Sequence, residues 1–556
     1  MRHFSSVVTT RIALVCLLAG LMESPVVEAE TYDAHPKLVV IVVIDQFRGD
    51  YLERYQSEFK GRGFRLFLDE GAWFPDCYYN YANTKTAPGH ATIGTGAYTD
   101  GHGIENNEWW DASRSYDHKV TSVEDERYRL VDLPAGEADT PGASPRSLHA
   151  STLGDEIRLA TKGQSRVFGI SLKDRAAILP VGQAANGAFW LDDASGRFTT
   201  STYYMEHLPS WATTFNSGSR LSEAAREGHA VETGKFSDTI ELTTAADHYE
   251  LDFAQALISG ERLGQGATTD LLTVSLSAHD AIGHRYGPDS EQAHAEVIGL
   301  DGSLDRFFGW LDQTVGLKKV WIALTADHGV APVPATAAAL GMNSATVDLT
   351  MLVQDLNAAL RNRVDAVGTG PFASPEPAGY LLPGSDLPYI TLDRRAFESR
   401  GIDEQAAEKM LKEALPEVIA IQAPSQPVGP STHRVAPVPQ IRAMYSRIEL
   451  SHSETLPLTE MGRELAHSYA YHGNWYVMLL LDGYQMADLH STGTTHFSPW
   501  SYDRHVPLAF YGAPFEPGTY RGRVEPVDIA ATFASLLGVN QPSASVGRVL
   551  TESLKK

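Results

Sequence analysis

Cysteine is almost absent from this sequence, because among 556 residues only Cys16 and Cys77 occur. Cys16 lies in the N-terminal segment that is predicted to be a cleaved signal peptide, so the mature chain would have one thiol and no internal disulfide. The stability of the mature chain must therefore come from a hydrophobic core or from bound metal ions.

Apolar runs long enough to cross a membrane are absent as well, since a spanning helix needs about 20 such residues. The run IALVCLLAGL at residues 12–21 is half that length, follows Arg2 and Arg11, and is followed by VVEAE with the small residue Ala29. This order predicts a cleaved secretory signal peptide at residues 1–29 and a periplasmic or secreted protein. The alternative, a stable membrane anchor, is disfavoured by the short run.

Basic residues are scarce relative to acidic ones, with 45 Lys and Arg against 69 Asp and Glu and a net charge of −24. Such a surface repels a phosphate backbone, so no nucleic acid polymer is expected as a partner. A small anionic substrate would need a site with concentrated positive charge, such as metal ions.

Continuous apolar runs recur along the chain and predict strands that are covered on both faces. These runs lie at residues 38–45, 166–172, 271–277, 320–326, 475–481 and 506–512. Helical patterns lie between them, at 152–161 and 293–315 for example, so we expect an α/β fold with a largely parallel central sheet flanked by helices. Pro- and Gly-rich sequence predicts an inserted cap region at 336–464. The core domain would then comprise residues 30–335 and 465–556, with its last two strands after the cap.

Three of the predicted strands end in the same chemistry. Asp45 ends the first, Asp280 and His284 follow the third, and Asp327 and His328 follow the fourth. A single Asp after a strand is usually a turn or helix-cap residue. Three such carboxylates with histidines nearby instead indicate metal ligands, because the carboxyl ends of parallel strands meet at one edge of the sheet. Oxygen and nitrogen ligands without thiolate suit zinc, with manganese or cobalt as possible substitutes.

These ligands exceed the number that one tetrahedral zinc ion takes, so the sequence predicts two Zn²⁺ per chain. A further histidine ligand could be His496 or His505, which both precede the last strand. We favour His496 because its loop is rich in Gly and Thr. The remaining candidates are expected to be loop or core histidines, namely His90, His102 and His472.

The stretch NTKTAPGHATIGTG at residues 83–96 is rich in hydroxyl groups. A two-metal centre that acts on phosphorus needs a nucleophile, and a metal-bound threonine would lose its proton near neutral pH. Thr86 stands where Pro88 predicts the first turn of a helix. Its alternative role is that of a simple helix N-cap.

Seven motifs together resemble the alkaline phosphatase superfamily, and within it the bacterial exported phosphatases with a threonine nucleophile (PafA/PhoK type). They occur in the family's order between residues 38 and 512, as VVIDQFRGDYL, NTKTAPGHATIGTG, GHGIENNEWW, SLKDRAAILPVG, HDAIGH, TADHG and GTTHFSPWSYDRHVPLAFYG. The resemblance implies an alkaline-phosphatase-like fold. Two departures are the proline of TAPGH and the phenylalanine of THF, where THG is expected.

The resemblance also implies roles for individual residues. One zinc ion would be held by Asp280, His284 and His496, and the other by Asp45, Asp327, His328 and the nucleophile Thr86. Asn107, Lys173 and Arg175 would bind the phosphoryl oxygens. A Lys and an Arg after the strand at 166–172 would neutralise a phosphate dianion, although ion pairs with Asp174 are an equally simple explanation of both.

The predicted function is that of an exported zinc-dependent alkaline phosphatase. It would hydrolyse small-molecule phosphate monoesters through a phosphothreonine intermediate. The alternative is a phosphodiesterase or nucleotide pyrophosphatase on the same fold, which should have an apolar or nucleoside pocket in place of Lys173 and Arg175. A sulfatase would need Cys or Ser in a C/S-x-P-x-R motif, and an inactivated binding protein should have lost a ligand or the nucleophile.

Overall fold

The central sheet is built from the apolar runs that the sequence predicts as strands. In the computed structural model the described residues give it nine strands, and five of the six runs contribute one strand each. The strands, numbered in chain order, are β1 Leu38–Ile44, β2 Ala72–Tyr78, β3 Glu108–Trp109, β4 Val120–Thr121, β5 Glu124–Arg129, β6 Pro141–Ala143, β7 Val167–Ser171, β8 Gly187–Leu191, β9 Phe198–Thr199, β10 Asp270–Leu276, β11 Val320–Thr325, β12 Ala345–Val347, β13 Tyr389–Thr391, β14 Ile441–Ser446, β15 Tyr476–Leu481, β16 Gln485–Ala487, β17 His505–Tyr511 and β18 Gly518–Thr519.

The order of strands in the central sheet is β18-β2-β17-β11-β1-β10-β7-β8-β9. Strand β1 pairs in parallel with both β10 and β11, and the parallel pairing continues through β7 to β8. Strand β17 is antiparallel to β11 and β2. All seven residues of β1 are buried, as expected for a central strand covered on both faces.

Helices flank this sheet, and together with the parallel pairing they confirm the predicted α/β fold. The helices are α1 Tyr51–Arg54, α2 Phe64–Glu70, α3 Thr86–Thr95, α4 Thr99–His102, α5 Leu153–Ala160, α6 Asp174–Ile178, α7 Ser210–Ser217, α8 Arg220–Glu227, α9 Ala245–Glu261, α10 Ala278–Tyr286, α11 Glu291–Thr314, α12 Pro334–Ala339, α13 Leu349–Val367, α14 Arg394–Glu398, α15 Glu404–Gln422, α16 Arg447–Ser451, α17 Glu460–Ala466, α18 Ser501–Arg504 and α19 Asp528–Leu537.

The structure describes residues 35–111, 113–114, 118–133, 140–227, 240–367, 379–384, 387–422, 441–470, 474–487 and 493–556. The predicted signal peptide at 1–29 and His472 lie outside these residues. Pro36–Lys556 is one compact unit. Within the described ranges, none of the helices is both long and apolar enough to cross a membrane.

The expectation that the run at 475–481 returns to the central sheet is wrong. Strand β15 pairs with β13 and β14 in a separate three-stranded sheet. Val477, Leu479 and Leu481 pack into a second hydrophobic cluster that also contains Leu352 and Leu411, here called the second cluster. Tyr476 and Met478 on the other face of β15 belong to a third cluster. An apolar run therefore reports burial on both faces but not which sheet the strand joins, and the predicted cap bounds at 336–464 stay a prediction.

The register of the parallel strands sets up the site. Ile44 pairs with Leu276, and Val43 pairs with Thr325. Strands β1, β10 and β11 thus end side by side, and the residues that follow them emerge at the same edge of the sheet.

Candidate metal centre and active site

The first group of predicted metal ligands centres on Asp280, which lies in the first turn of α10. His284 is one turn further along the same helix, and its Nε2 lies 3.1 Å from Asp280 Oδ1. His496 Nε2 lies 3.9 Å from the same oxygen, although 216 positions separate the two residues in the chain. Nδ1 of His284 donates to the carbonyl of Thr494, and Nδ1 of His496 donates to the carbonyl of Thr84. Those backbone contacts orient both Nε2 atoms toward Asp280.

The second group consists of Asp45, Asp327 and His328, which are completely buried. His328 Nε2 lies 3.4 Å from Asp45 Oδ1 and 3.5 Å from Asp327 Oδ2. His328 also stacks on His496, with ring centroids 3.5 Å apart, and lies close enough to Asp280 and His496 to join the first group too. The two groups are therefore neighbours that meet at His328.

Buried polar atoms of the second group test whether a metal ion fits. Asp45 Oδ1, Asp327 Oδ2 and His328 Nε2 have no hydrogen-bond partner among the described residues. Buried polar groups are normally satisfied, so three unsatisfied ligand atoms that face one another are explained by a cation between them. Carboxylate oxygen and imidazole nitrogen are the atoms that zinc takes in proteins. The residues present fit the metal that the sequence predicts.

Burial and neighbouring charges set the ionisation of these ligands. Burial, together with Asp280 and Asp327, raises the pKa of Asp45 well above its usual range. Burial also acts to raise the pKa of Asp280, but Lys173 and His284 outweigh it and hold this pKa well below its usual range. Burial lowers the pKa of His328 and of His496. Burial therefore favours the neutral form of both imidazoles, which is the form that binds a metal.

Thr86 is the first residue of α3, as predicted, and is only 2% exposed. Lys85 occupies the N-cap position, so Thr86 is not the cap itself. The backbone N–H of Ala87 donates to Asn107 Oδ1 at 2.9 Å. The predicted nucleophile and the first predicted phosphoryl ligand thus lie together at the start of this helix.

Lys173 and Arg175 follow β7 at the same edge of the sheet. The Lys173 ammonium donates to Asp45 Oδ2 and to Asp280 Oδ2, each at 2.6 Å, and so joins the two ligand groups. Arg175 Nη1 lies 3.8 Å from Asp174. Asn107, Lys173 and Arg175 line one cleft of about 650 Å³. The ion pair with Asp174 that the sequence left open therefore applies to Arg175, whereas Lys173 turns toward the metal ligands.

His90 contacts the site, although sequence reasoning assigned it to a loop or the core. Its Nδ1 donates to the carbonyl of Thr86 at 2.8 Å and lies 3.3 Å from Asp327 Oδ2. Its Nε2 lies 2.7 Å from Ser275 Oγ. The available signal was its position four residues after Thr86, which places both on one face of a helix. His90 therefore links the helix of the predicted nucleophile to a predicted metal ligand.

The remaining histidine candidates lie elsewhere. His505 donates from Nε2 to the carbonyl of Pro75 at 2.7 Å and stacks on Tyr78. His102 is buried and contacts the Thr92 hydroxyl and the Ile104 amide. Of the two histidines that the sequence left open, His496 reaches the ligand groups, whereas His505 is the first residue of β17.

Comparison with known proteins identifies relatives over nearly the whole chain. The family described as type I phosphodiesterase / nucleotide pyrophosphatase matches residues 39–408. Alkaline phosphatase PhoV of Synechococcus elongatus is 32% identical over 94% of this chain and 94% of its own length. Alkaline phosphatase PafA of Elizabethkingia meningoseptica is 30% identical over 96% of this chain and 98% of its own.

A solved structure of PafA gives the same result for the fold. It is a variant with a threonine, an asparagine, a lysine and an arginine substituted, and it superposes with a TM-score of 0.80 at 28% identity. The superposition covers 94% of this chain and 99% of PafA. The chain therefore belongs to the type I phosphodiesterase / nucleotide pyrophosphatase family of the alkaline phosphatase superfamily, which confirms the resemblance of its sequence motifs.

Proposed function

We propose that this chain is a zinc-dependent alkaline phosphatase that hydrolyses small-molecule phosphate monoesters through a phosphothreonine at Thr86. The observation that carries the proposal is the meeting of two ligand groups with Lys173 at one sheet edge, linked to Thr86 through His90. PhoV and PafA are similar to this chain over more than nine-tenths of its length, and both are named alkaline phosphatases, which supports the same reaction.

Two zinc ions are proposed, one for each ligand group. Asp280, His284 and His496 would hold one ion; Asp45, Asp327 and His328 would hold the other together with Thr86. Bound zinc would supply positive charge for the phosphoryl oxygens and lower the pKa of a hydroxyl beside it. The ligand atoms are carboxylate oxygens and imidazole nitrogens without a thiolate, a set that suits zinc.

The Thr86 hydroxyl carries the chemistry in this proposal. Its oxygen attacks phosphorus, and the bond to the ester oxygen breaks as the new P–O bond forms. The alcohol leaves with a proton, and the phosphoryl group remains on Thr86. Water then attacks phosphorus, the bond to the threonine oxygen breaks, and inorganic phosphate leaves with the hydroxyl restored.

Asn107, Lys173 and Arg175 would bind the non-bridging oxygens of the phosphoryl group. Two cations at this position suit a monoester dianion, whereas a diester would bring an esterified oxygen against them. The PafA variant is substituted at an asparagine 21 positions after its threonine and at an arginine two positions after its lysine. Thr86, Asn107, Lys173 and Arg175 have the same spacings, which supports a joint role for the four side chains.

The deciding experiment compares wild type, Thr86→Ala and a control, Thr214→Ala, whose exposed threonine lies in α7. Steady-state hydrolysis of an aryl phosphate monoester and the matching diester is measured after zinc content is determined. Acid quenching with labelled monoester tests for a phosphorylated chain. We expect two zinc ions per chain, monoester preference, label on wild type and control, and neither label nor turnover with Thr86→Ala.

Other outcomes would select a different function. Diester preference would make the protein a phosphodiesterase or nucleotide pyrophosphatase. A chain that binds no zinc and hydrolyses neither ester would be a binding protein on this fold.

Export of the protein is a separate proposal, which rests on the sequence of residues 1–29. The N-terminus of the protein recovered from the periplasm or medium should begin near residue 30, as mass spectrometry would show. A mature chain that begins at Met1 would contradict it.

A further inference from the structure

Gln46, which follows Asp45, has a backbone conformation that is unusual for a residue with a side chain. Its φ is 64°, in the left-handed region that favours glycine. The residue is completely buried. Such a conformation persists where surrounding contacts fix it, and it is frequent at functional sites.

The contacts of Gln46 reach both ligand groups. Its backbone N–H donates to Asp327 Oδ1 at 3.1 Å, in the second group. Its side-chain Nε2 donates to Asp280 Oδ1 at 2.7 Å, in the first group. The left-handed backbone conformation accompanies both bonds in a residue that directly follows a third ligand, Asp45.

The orientation of the Gln46 amide is fixed by its surroundings. Oε1 has no hydrogen-bond partner in the described part of the chain, and a Cβ on Gly283 would lie 1.9 Å from it. A reversed amide would place this oxygen against the Asp280 carboxylate, so the donor must face Asp280. Gly283 and Asp280 lie about one turn apart on helix α10, and the amide is therefore held against this turn of the helix that carries His284.

The oxygen that accepts from Gln46 also faces the histidines. Asp280 Oδ1 lies 3.1 Å from His284 Nε2 and 3.9 Å from His496 Nε2. A donor on this oxygen restricts how the carboxylate can rotate between its partners. Hydrogen-bond partners of metal ligands act in this way, and their loss typically lowers metal affinity about 10- to 100-fold.

We propose that Gln46 is a positioning residue that fixes the two metal-ligand groups relative to each other, with its backbone serving Asp327 and its side chain serving Asp280. The inference rests on the proposed function, since it assigns metal ions to both groups. It predicts that removal of the side chain weakens zinc binding only at the first group, because the backbone N–H that serves Asp327 remains.

Gln46→Gly tests this separation, because glycine suits a φ of 64°, keeps the N–H that serves Asp327 and removes the amide. The measurement is zinc release from the full-length holoprotein against increasing chelator, followed with a zinc indicator. We expect one zinc ion per chain to be released at a chelator concentration about 10- to 100-fold lower than in wild type. The release of the other zinc ion should be unchanged. Lys162→Gly is the matched control, since Lys162 is an exposed residue with a φ of 53°, and its zinc release should equal that of wild type.

Gln46→Met is the second variant, because methionine keeps the length of the side chain without an N–H donor. It should show the same selective loss of one zinc ion. Unchanged release from both variants, or equal weakening of both sites with a folded chain, would overturn the positioning role. A wild type that binds zinc and hydrolyses monoesters in that case leaves the proposed function intact, whereas a wild type that does neither overturns both.

Discussion

Lys173 brings a positive charge between two buried carboxylates of different ligand groups. Its ammonium lies 2.6 Å from Asp45 and from Asp280, and only 16% of its side chain is exposed. Burial alone would lower the pKa of Lys173, but Asp280 and Asp45 outweigh it and raise this pKa above its usual range. The two carboxylates therefore favour the charged form of Lys173.

Replacement of Lys173 should change substrate choice as well as rate. For Lys173→Met we expect kcat/KM for an aryl monoester dianion to fall about 100- to 1000-fold, and kcat/KM for the singly charged diester to fall much less. The physical reason is that the lost charge matters most for the more highly charged phosphoryl group. Lys60→Met, at an exposed lysine, is the control. Equal losses for both esters at full zinc content would contradict a role in charge recognition.

Phe497 stands next to His496 with a φ of 120°, which favours glycine. Its N–H and that of Ser498 both donate to Thr84 Oγ1. Its ring packs against the second cluster and lies 5.8 Å from the Lys85 ammonium. Packing of the ring thus accompanies an unfavourable backbone conformation beside a metal ligand.

Phe497→Gly should be more stable than Phe497→Ala, by about 1 kcal/mol in the free energy of unfolding. Both variants lose the ring, but only glycine also removes the backbone strain. Urea unfolding of the zinc-saturated proteins measures the difference. The exposed helical residue Lys409 gives the opposite order as a control, with Lys409→Ala more stable than Lys409→Gly. An alanine variant at 497 as stable as the glycine variant would show that no strain resides there.

At the scale of elements, helix α3 is buried along its whole length. Its N-terminus carries Thr86, and Gly89, three residues further along, faces the backbone of Asp327. A Cβ on Gly89 would lie 2.3 Å from the carbonyl oxygen of Asp327. The helix that carries the proposed nucleophile therefore packs directly against the backbone of Asp327, a proposed metal ligand.

Gly89→Ala should push α3 away from Asp327. We expect the free energy of unfolding to fall by about 1–3 kcal/mol from overpacking, and kcat/KM for a monoester to fall at least about tenfold because Thr86 moves with the helix. Gly309→Ala is the control, since Gly309 lies in helix α11 and a Cβ there would meet no described atom within 4 Å. That variant should keep full activity and gain up to about 1 kcal/mol. Full activity of Gly89→Ala would contradict a tight fit between helix and ligand.

The strands show what a sequence can predict about elements. The runs at 38–45 and 320–326 become Leu38–Ile44 and Val320–Thr325, because burial on both faces demands apolar residues whatever the neighbouring strand is. The run at 475–481 forms a strand too, but its pairing with β13 and β14 depends on contacts that the run itself does not encode.

The same distinction holds for the candidate site. Asp45 and Asp327 could be placed together because each directly follows a parallel strand, and such strands end at one edge. Gln46 and His90 were not predicted as part of it. Their roles depend on which carboxylate happens to lie beside an amide or an imidazole in the folded chain, and neither residue type signals this in sequence.

At the scale of the whole molecule, burial raises the pKa of several carboxyl groups that belong to neither ligand group. Burial, with a smaller contribution from Asp111, raises the pKa of Glu105 from 4.5 to about 8. Burial likewise raises the pKa of Glu464 to about 7 and that of Asp528 to about 6. All three are protonated more readily in the folded chain than in the unfolded one.

A raised pKa in the folded state costs stability as the pH rises. The contribution of Glu105 is fully present below about pH 4.5, where both states are protonated, and is lost progressively as the pH rises through about 8, because the unfolded chain releases its proton first. Three such groups act in the same direction. The fold should therefore be less stable at alkaline pH than the same fold with neutral side chains at these positions.

Glu105→Gln removes the largest of these effects and keeps the shape of the side chain. Compared with wild type, its free energy of unfolding should be nearly equal at pH 5 and higher at pH 9, by an amount on the order of a few kcal/mol. Urea unfolding at pH 5, 7 and 9, with zinc held saturating, gives the difference at each pH. Glu126→Gln is the control, because hydrogen bonds from Arg146 lower the pKa of this exposed carboxyl to about 2 and its substitution should not stabilise the chain at high pH. A difference for Glu105→Gln that stays constant from pH 5 to 9 would mean that this group titrates alike in the folded and unfolded chains.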